Sequence, residues 1–285
     1  MEPCELRDRA RQIQLDGLEM AKTSGRGGAH LGGSFSAVEI LTVLYEHVMR
    51  LDVENPTWDE RDRFLASKNH CVLAHLPVLA RRGFFPVSEL QEFQKDGGRL
   101  TGYPLRPEIG LEYSGGSLGM AISVGVGQAL ALREKYGSGI PEENENSVGN
   151  LVPRVFVLMG DAELNEGSIW EAFMSASHYK LDNLVAVIDR NHLSYDGDTE
   201  EIMAIEPLEE KLRAFGMDVV SCDGHDVDDL IRAFDETLTS SGKPHVVIAD
   251  TVKGKGVSFM EGVPSYHHAS ITEEQYIQAK EEILG

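Results

Sequence analysis

Cysteine is scarce: only Cys4, Cys71 and Cys222 occur in 285 residues. Their spacing fits neither a disulfide framework nor a thiolate metal site, which points to a reducing compartment and a cytoplasmic location. No run of ~18 apolar residues occurs and no basic-then-apolar leader opens the chain, so neither a membrane span nor a secretory signal is expected. Positive charge is also in deficit, with 26 Lys and Arg against 47 Asp and Glu and a net charge of −21. That balance argues against nucleic acid as a partner, because phosphate backbones demand a basic surface. It also means that any phosphate pocket is local or lies on another subunit, with most acids on a solvated surface. Internal repeats, heptads and low-complexity linkers are missing too. The 41% hydrophobic and 26% charged residues are those of a globular protein, so the length suits one large α/β domain.

What is present centres on one β-α-β unit. The apolar run Arg154 to Met159 leads into Gly160-Asp161-Ala162-Glu163, and the run Leu184 to Asp189 leads to Asn191. Ser168 to Lys180 reads as the helix between them. Asp161 and Asn191 then emerge at the carboxyl ends of adjacent parallel strands, where open α/β sheets bind ligands. A carboxylate, an amide oxygen and a nearby backbone carbonyl suit a hard divalent ion holding a diphosphate. Taken alone, the same pair is equally well read as two polar residues ending two strands.

Other segments extend the pattern. Helices are expected over Arg7–Thr23, Ser36–Met49, His75–Arg82, Leu118–Lys135, Leu208–Phe215 and Val227–Leu238. Strands are expected over Phe64–Ser67, Val219–Cys222 and Val246–Ala249, with a polar surface loop from Tyr136 to Pro153. The alternation predicts a mostly parallel sheet with helices on both faces.

The Gly-Asp…Asn arrangement resembles the thiamine-diphosphate motif, and Trp170-Glu171-Ala172 through His178-Tyr179-Lys180-Leu181-Asp182-Asn183-Leu184 resembles the transketolase family in particular. The resemblance runs from Arg9 to about Ile283, with Ala162 in place of the motif's second Gly. It implies the thiamine-diphosphate-binding fold, residues 1–285 forming a single diphosphate-binding domain. It also implies thiamine diphosphate and Mg²⁺ as cofactors, the metal held by the Asp161 and Asn191 side chains and the Leu193 carbonyl, with Gly160 and Ala162 beside the diphosphate.

Further matches supply the remaining candidates. His30, in the glycine-rich turn Ser24 to Ser34, corresponds to a histidine that assists proton transfers; an imidazole can give and take protons near neutrality. In Ser67-Lys68-Asn69-His70, His70 is the diphosphate contact, with Asn69 where Gly is usual. Gly115-Gly116-Ser117-Leu118-Gly119 resembles the stretch that supports the cofactor rings, with Gly116 and Leu118 the contact positions. Met120-Ala121 stands there for the usual Gln-Gly. Glu166 matches an acid at the subunit interface near the cofactor, whereas Glu163 is read as a helix-start cap. Lys253-Gly254-Lys255-Gly256 and Tyr266-His267-His268 resemble the carboxyl-terminal loop, in which Lys253 is a cofactor contact and His267 lies over the reacting carbon. His268 replaces the usual Gly. Gly102-Tyr103-Pro104 stands for the family's Gly-His-Pro, which makes Tyr103 a substrate-side candidate; with a pKa near 10, tyrosine is a poor proton shuttle at neutral pH. His75 and His225 are read as structural, and His47, His178, His192 and His245 as without a role.

The family takes its essential acid for the aminopyrimidine from a second α/β domain. The resemblance therefore implies a pyrimidine-binding domain on a separate chain, a two-component transketolase assembled as an α2β2 heterotetramer. The implied activity is transfer of a two-carbon ketol unit from a ketose phosphate to an aldose phosphate, active only with the partner subunit. One alternative passes that unit to a lipoyl or acyl carrier protein. A lesser alternative is a non-catalytic binding subunit.

Overall fold

The computed structural model describes residues 1–137, 152–238 and 242–285, apart from the Arg26 side chain; most of the expected Tyr136–Pro153 loop lies outside the described residues. Five strands, β1 (Arg63–Ala66), β2 (Val155–Gly160), β3 (Leu184–Arg190), β4 (Asp218–Asp223) and β5 (His245–Asp250), form one parallel sheet in the order β1-β2-β3-β5-β4. The described helices are α1 (Pro3–Thr23), α2 (Gly32–Phe35), α3 (Val38–Val43), α4 (Val72–Arg82), α5 (Ala121–Tyr136), α6 (Gly167–His178), α7 (Thr199–Met203), α8 (Leu208–Ala214), α9 (Val227–Glu236) and α10 (Glu273–Leu284).

Every residue of β3 is buried, as a central parallel strand covered on both faces requires. Alternate side chains of β2 serve two cores. Phe156 and Leu158 join the residues of α1, α3, α4 and α9, whereas Val155, Val157 and Met159 join those of α5, α6 and α8. Helices therefore cover both faces, as the alternation predicts. On α5, Gly125 permits the close approach, since a Cβ there would meet Val157 Cγ2 at 2.8 Å.

Several element boundaries differ from expectation; α1, for instance, starts at Pro3 instead of Arg7. The helix expected over Ser36–Met49 is preceded by the short α2 and reduces to α3 and a wide turn over Leu44–Val48. Ala37 departs from helical geometry between the first two, beside Ser36, whose hydroxyl turns inward to donate to Asp189 at 2.6 Å. The helix expected from Leu118 begins at Ala121 because Gly119 adopts φ +80°, which favours glycine. The helix expected from His75 starts earlier, at Val72.

The sheet fixes the site. Gly160 pairs with Asp189 in the β2–β3 register, so the residues following both strands leave the sheet side by side. Among the described residues, no helix is long and apolar enough to cross a membrane.

Candidate active site

The ends of β1, β2, β3 and β5 open on a cleft of about 280 Å³. Its floor is built by Asp161, the first residue past β2, and Asn191, the first past β3. Asp161 is 1% exposed. Its Oδ1 accepts from the Ala162 N–H at 2.8 Å, and its Oδ2 accepts from the His192 N–H at 2.6 Å and from Arg190 Nη1 at 3.0 Å. Burial, with the neighbouring Asp189 carboxylate, raises the Asp161 pKa above its ordinary value, and Arg190 opposes the rise. Asn191 Oδ1 accepts from the Leu193 N–H at 3.2 Å.

Lys253, in the turn after β5, reaches across this floor. Its Nζ donates to the carbonyls of Leu193 and Ser194, both at 2.9 Å. Burial, helped by the Lys68 charge, pushes its pKa down to about 8. The two carbonyls thus already face a cation inside the cleft.

Three imidazoles form a wall. His30 precedes α2, His70 follows β1, and His267 lies in a short turn before α10. Ring centroids stand 5.4 Å apart for His30–His70 and His30–His267, and 5.1 Å for His70–His267. Burial, then the His268 and Lys253 charges, pushes His30 down to about 4. Burial and Lys253 push His267 down to about 3, and burial and Lys68 hold His70 well below its usual value. All three are therefore neutral bases at physiological pH. His267 Nδ1 is buried with no hydrogen-bond partner. The exposed His268 packs edge-on to His30 with centroids 4.5 Å apart.

Another part of the lining is small and apolar. Gly116 and Leu118 form it, and Tyr103, 45% exposed, stands near Gly116. Gly160 and Ala162 also line the cleft, and a Cβ at Gly160 would meet nothing within 4 Å. Sequence-expected positions scattered from His30 to His267 are thereby brought to one cleft. Glu166 is not among its lining; it is exposed at the start of α6.

Glu163 corrects the sequence reading. It does not cap a solvent-facing helix start but is 3% exposed. Its carboxylate accepts from the Ser67 hydroxyl, from the Gly119 N–H at 2.7 Å and from the Gly160 N–H at 3.1 Å. One side chain thus fastens the Gly-rich stretch to the end of β2. Sequence reasoning also passed over Lys68, Asp189, Arg190 and Tyr195. The first two form a buried ion pair beneath the cleft. Tyr195, 66% exposed, stands edge-on to His267 with centroids 5.0 Å apart. The available signal was the charged pair Asp189-Arg190 ending an otherwise apolar strand.

The other histidines are structural or peripheral. His75 bonds to the Tyr45 hydroxyl at 2.8 Å inside the core. His225 joins Glu39 at 3.1 Å and accepts from the Val252 N–H at 2.8 Å. His192 contacts Asp250 at 2.9 Å, His245 is buried, and His47 and His178 are exposed.

The donor set fits Mg²⁺. Asp161, Asn191 and the Leu193 carbonyl offer only hard oxygens, and Lys253 already exploits the cation-facing carbonyl. The unpartnered His267 nitrogen and the flanking Lys68 and Lys253 fit a polyanion such as a diphosphate.

Comparisons with known proteins bear on the fold and the family. The family model for the transketolase thiamine diphosphate binding domain matches residues 5–285. One subunit of the apulose-4-phosphate transketolase of Phocaeicola vulgatus is 41% identical over 254 residues, covering 89% of this chain and 85% of that protein. The 6-deoxy-6-sulfo-D-fructose transketolase subunit of a Clostridium species is 38% identical, covering 93% and 92%. Human transketolase is 32% identical over 98% of this chain but only 42% of its own length. Among solved structures, Leishmania mexicana transketolase superposes with a TM-score of 0.88 at 27% identity, over 98% of this chain and 41% of its own. The chain therefore spans about two fifths of such full-length transketolases and most of the length of the subunits. It belongs to the transketolase family, whose thiamine diphosphate binding domain it comprises.

Proposed function

We propose that the chain is one subunit of a thiamine-diphosphate- and Mg²⁺-dependent transferase that moves a two-carbon ketol unit from a ketose phosphate to an aldose phosphate. The observation that carries this is the meeting, in one cleft, of the oxygen donors of Asp161, Asn191 and Leu193 with three imidazoles whose pKa values burial lowers. Asp161, Asn191 and the Leu193 carbonyl would hold Mg²⁺. His70, Lys253 and the backbone at Gly160 and Ala162 would bind the diphosphate, and Gly116 and Leu118 would support the rings. The bound cofactor supplies the electron sink for carbon–carbon cleavage.

The protein's own work is then orientation and proton movement. His30 and His267, held neutral by burial, accept hydrogen bonds from substrate hydroxyls at their ring nitrogens; the negative charge of a bound diphosphate and substrate phosphate would raise both toward neutrality, where they can take a proton and return it. The phenol of Tyr103 can donate a hydrogen bond to substrate.

A partner subunit carrying a pyrimidine-binding domain completes the site in this reading, with Glu166 at the contact between them. Two features support it. The lining carboxylates Asp161 and Glu163 are both already engaged by chain donors. Leu118, which lines the cleft, is exposed, as are Met120 and Val124 a few residues further along the chain. The similar-length relatives are themselves named as subunits, and an α2β2 assembly in the cytoplasm follows by analogy. Their names also describe a sugar phosphate and a sulfosugar, which supports a ketose with an anionic tail as donor.

The test is a competition assay with the chain co-purified with its partner. Thiamine diphosphate, Mg²⁺ and a labelled ketose phosphate are supplied with ribose 5-phosphate and a phosphopantetheinylated carrier protein. Label in a seven-carbon sugar phosphate is expected. Label on the carrier would replace the acceptor in this proposal, and no transfer with bound cofactor would reduce the chain to a binding subunit.

A further inference from the structure

Arg190 ends β3 as a thoroughly occupied cation near the cleft. Its side chain is 5% exposed. Nη1 donates to Asp161 Oδ2 at 3.0 Å and to Thr199 Oγ1 at 2.6 Å, while Nη2 donates to Glu200 at 3.0 Å and Glu206 at 3.1 Å. Thr199 and Glu200 open α7, and Glu206 follows it. The Thr199 N–H also donates to the His192 carbonyl at 3.0 Å, closing the segment back on the loop after Asn191.

We infer that Arg190 is a positioning residue, fixing the Asp161 carboxylate toward the cleft and tying it to α7. With Oδ2 taken by Arg190 and the His192 N–H, and Oδ1 by the Ala162 N–H alone, Oδ1 keeps acceptor capacity for a cation. A guanidinium beside a metal ligand would by itself repel Mg²⁺. Glu200 and Glu206, on its far side, offset that charge. Only a planar fork can reach Asp161, Thr199 and both glutamates together; an ammonium cannot. The inference rests on the proposed cofactor reading.

The test uses the chain with its partner subunit and two readouts. One is Mg²⁺ affinity by calorimetry at saturating thiamine diphosphate; the other is amide hydrogen exchange over 199–206 without cofactor. Arg190→Met is expected to weaken Mg²⁺ binding by roughly 10–100-fold, the effect of losing a partner that orients a metal ligand, and to speed exchange over 199–206. Arg190→Lys is expected to restore only part of the affinity. Glu200→Gln/Glu206→Gln, which alters more exposed side chains, should fold and weaken Mg²⁺ binding by a smaller factor. Faster exchange with unchanged affinity in Arg190→Met, or unchanged affinity in the double variant should Arg190→Met fail to fold, would overturn the inference. If the wild-type complex binds no thiamine diphosphate, the proposed function falls and this inference with it.

Discussion

Lys68 and Asp189 form an ion pair closed off from water, the two side chains being 1% and 0% exposed. Asp189 also accepts from the hydroxyls of Ser36 and Thr251, so the turn after β1, the segment between α2 and α3, β3 and the turn after β5 meet at one carboxylate. The pair lies directly beneath the cleft and joins its walls.

Breaking it from one side should be expensive. Lys68→Met leaves an uncompensated buried charge and is expected to cost about 3–5 kcal/mol. Lys68→Met/Asp189→Leu, which removes both charges, should recover much of that loss. Chemical denaturation of the two variants checks this; equal destabilisation by both would mean that the charge pairing itself is unimportant.

Glu163 offers a second prediction. Glu163→Ala strands the Gly119 N–H and the Ser67 hydroxyl, buried donors that each cost about 1–3 kcal/mol when left unmet, and frees the part-buried Gly160 N–H. A loss of about 3 kcal/mol is expected, together with faster amide exchange over 115–120. Protection of that stretch at the wild-type level would show that something else holds it.

These groups mark where the sequence stopped being readable. The β-α-β unit was legible because continuous apolar runs dictate buried parallel strands, and Asp161 and Asn191 follow them directly. His30, His70 and His267 were legible through their flanking motifs. Lys68 and Asp189, 121 residues apart, and Glu163 and Ser67, 96 apart, were not. Their meaning depends on which strands become neighbours, and no local pattern carries that. The late start of α5 has the same origin, since Gly119 takes a left-handed backbone and donates its N–H to a distant carboxylate.

The histidine wall gives a pH dependence with a definite sign. His30 (about 4), His267 (about 3) and the core residue His75 (about 3) all lie below the ordinary 6.5, chiefly through burial. Between pH 6.5 and 4 these imidazoles bind more protons in the unfolded chain than in the folded one, so their contribution to stability rises with pH in that window, against the opposite contribution of the buried carboxyls of Glu112, Asp161 and Glu163, which burial raises. As pH drops from about 6.5 toward 4, His30→Asn should therefore lose less Tm than the wild type. A His30→Asn slope equal to that of the wild type would contradict the assignment.

The most direct test of the account is a calorimetric titration of the chain, with its partner subunit, by thiamine diphosphate in the presence of Mg²⁺, for the wild type and for Asp161→Ala. Saturable binding that requires the metal is expected for the wild type. Asp161→Ala should lose more than the ~10–100-fold typical of partners that only orient a metal ligand. Equal binding by the two proteins would contradict the claim that the carboxyl ends of β2 and β3 hold the metal and its diphosphate.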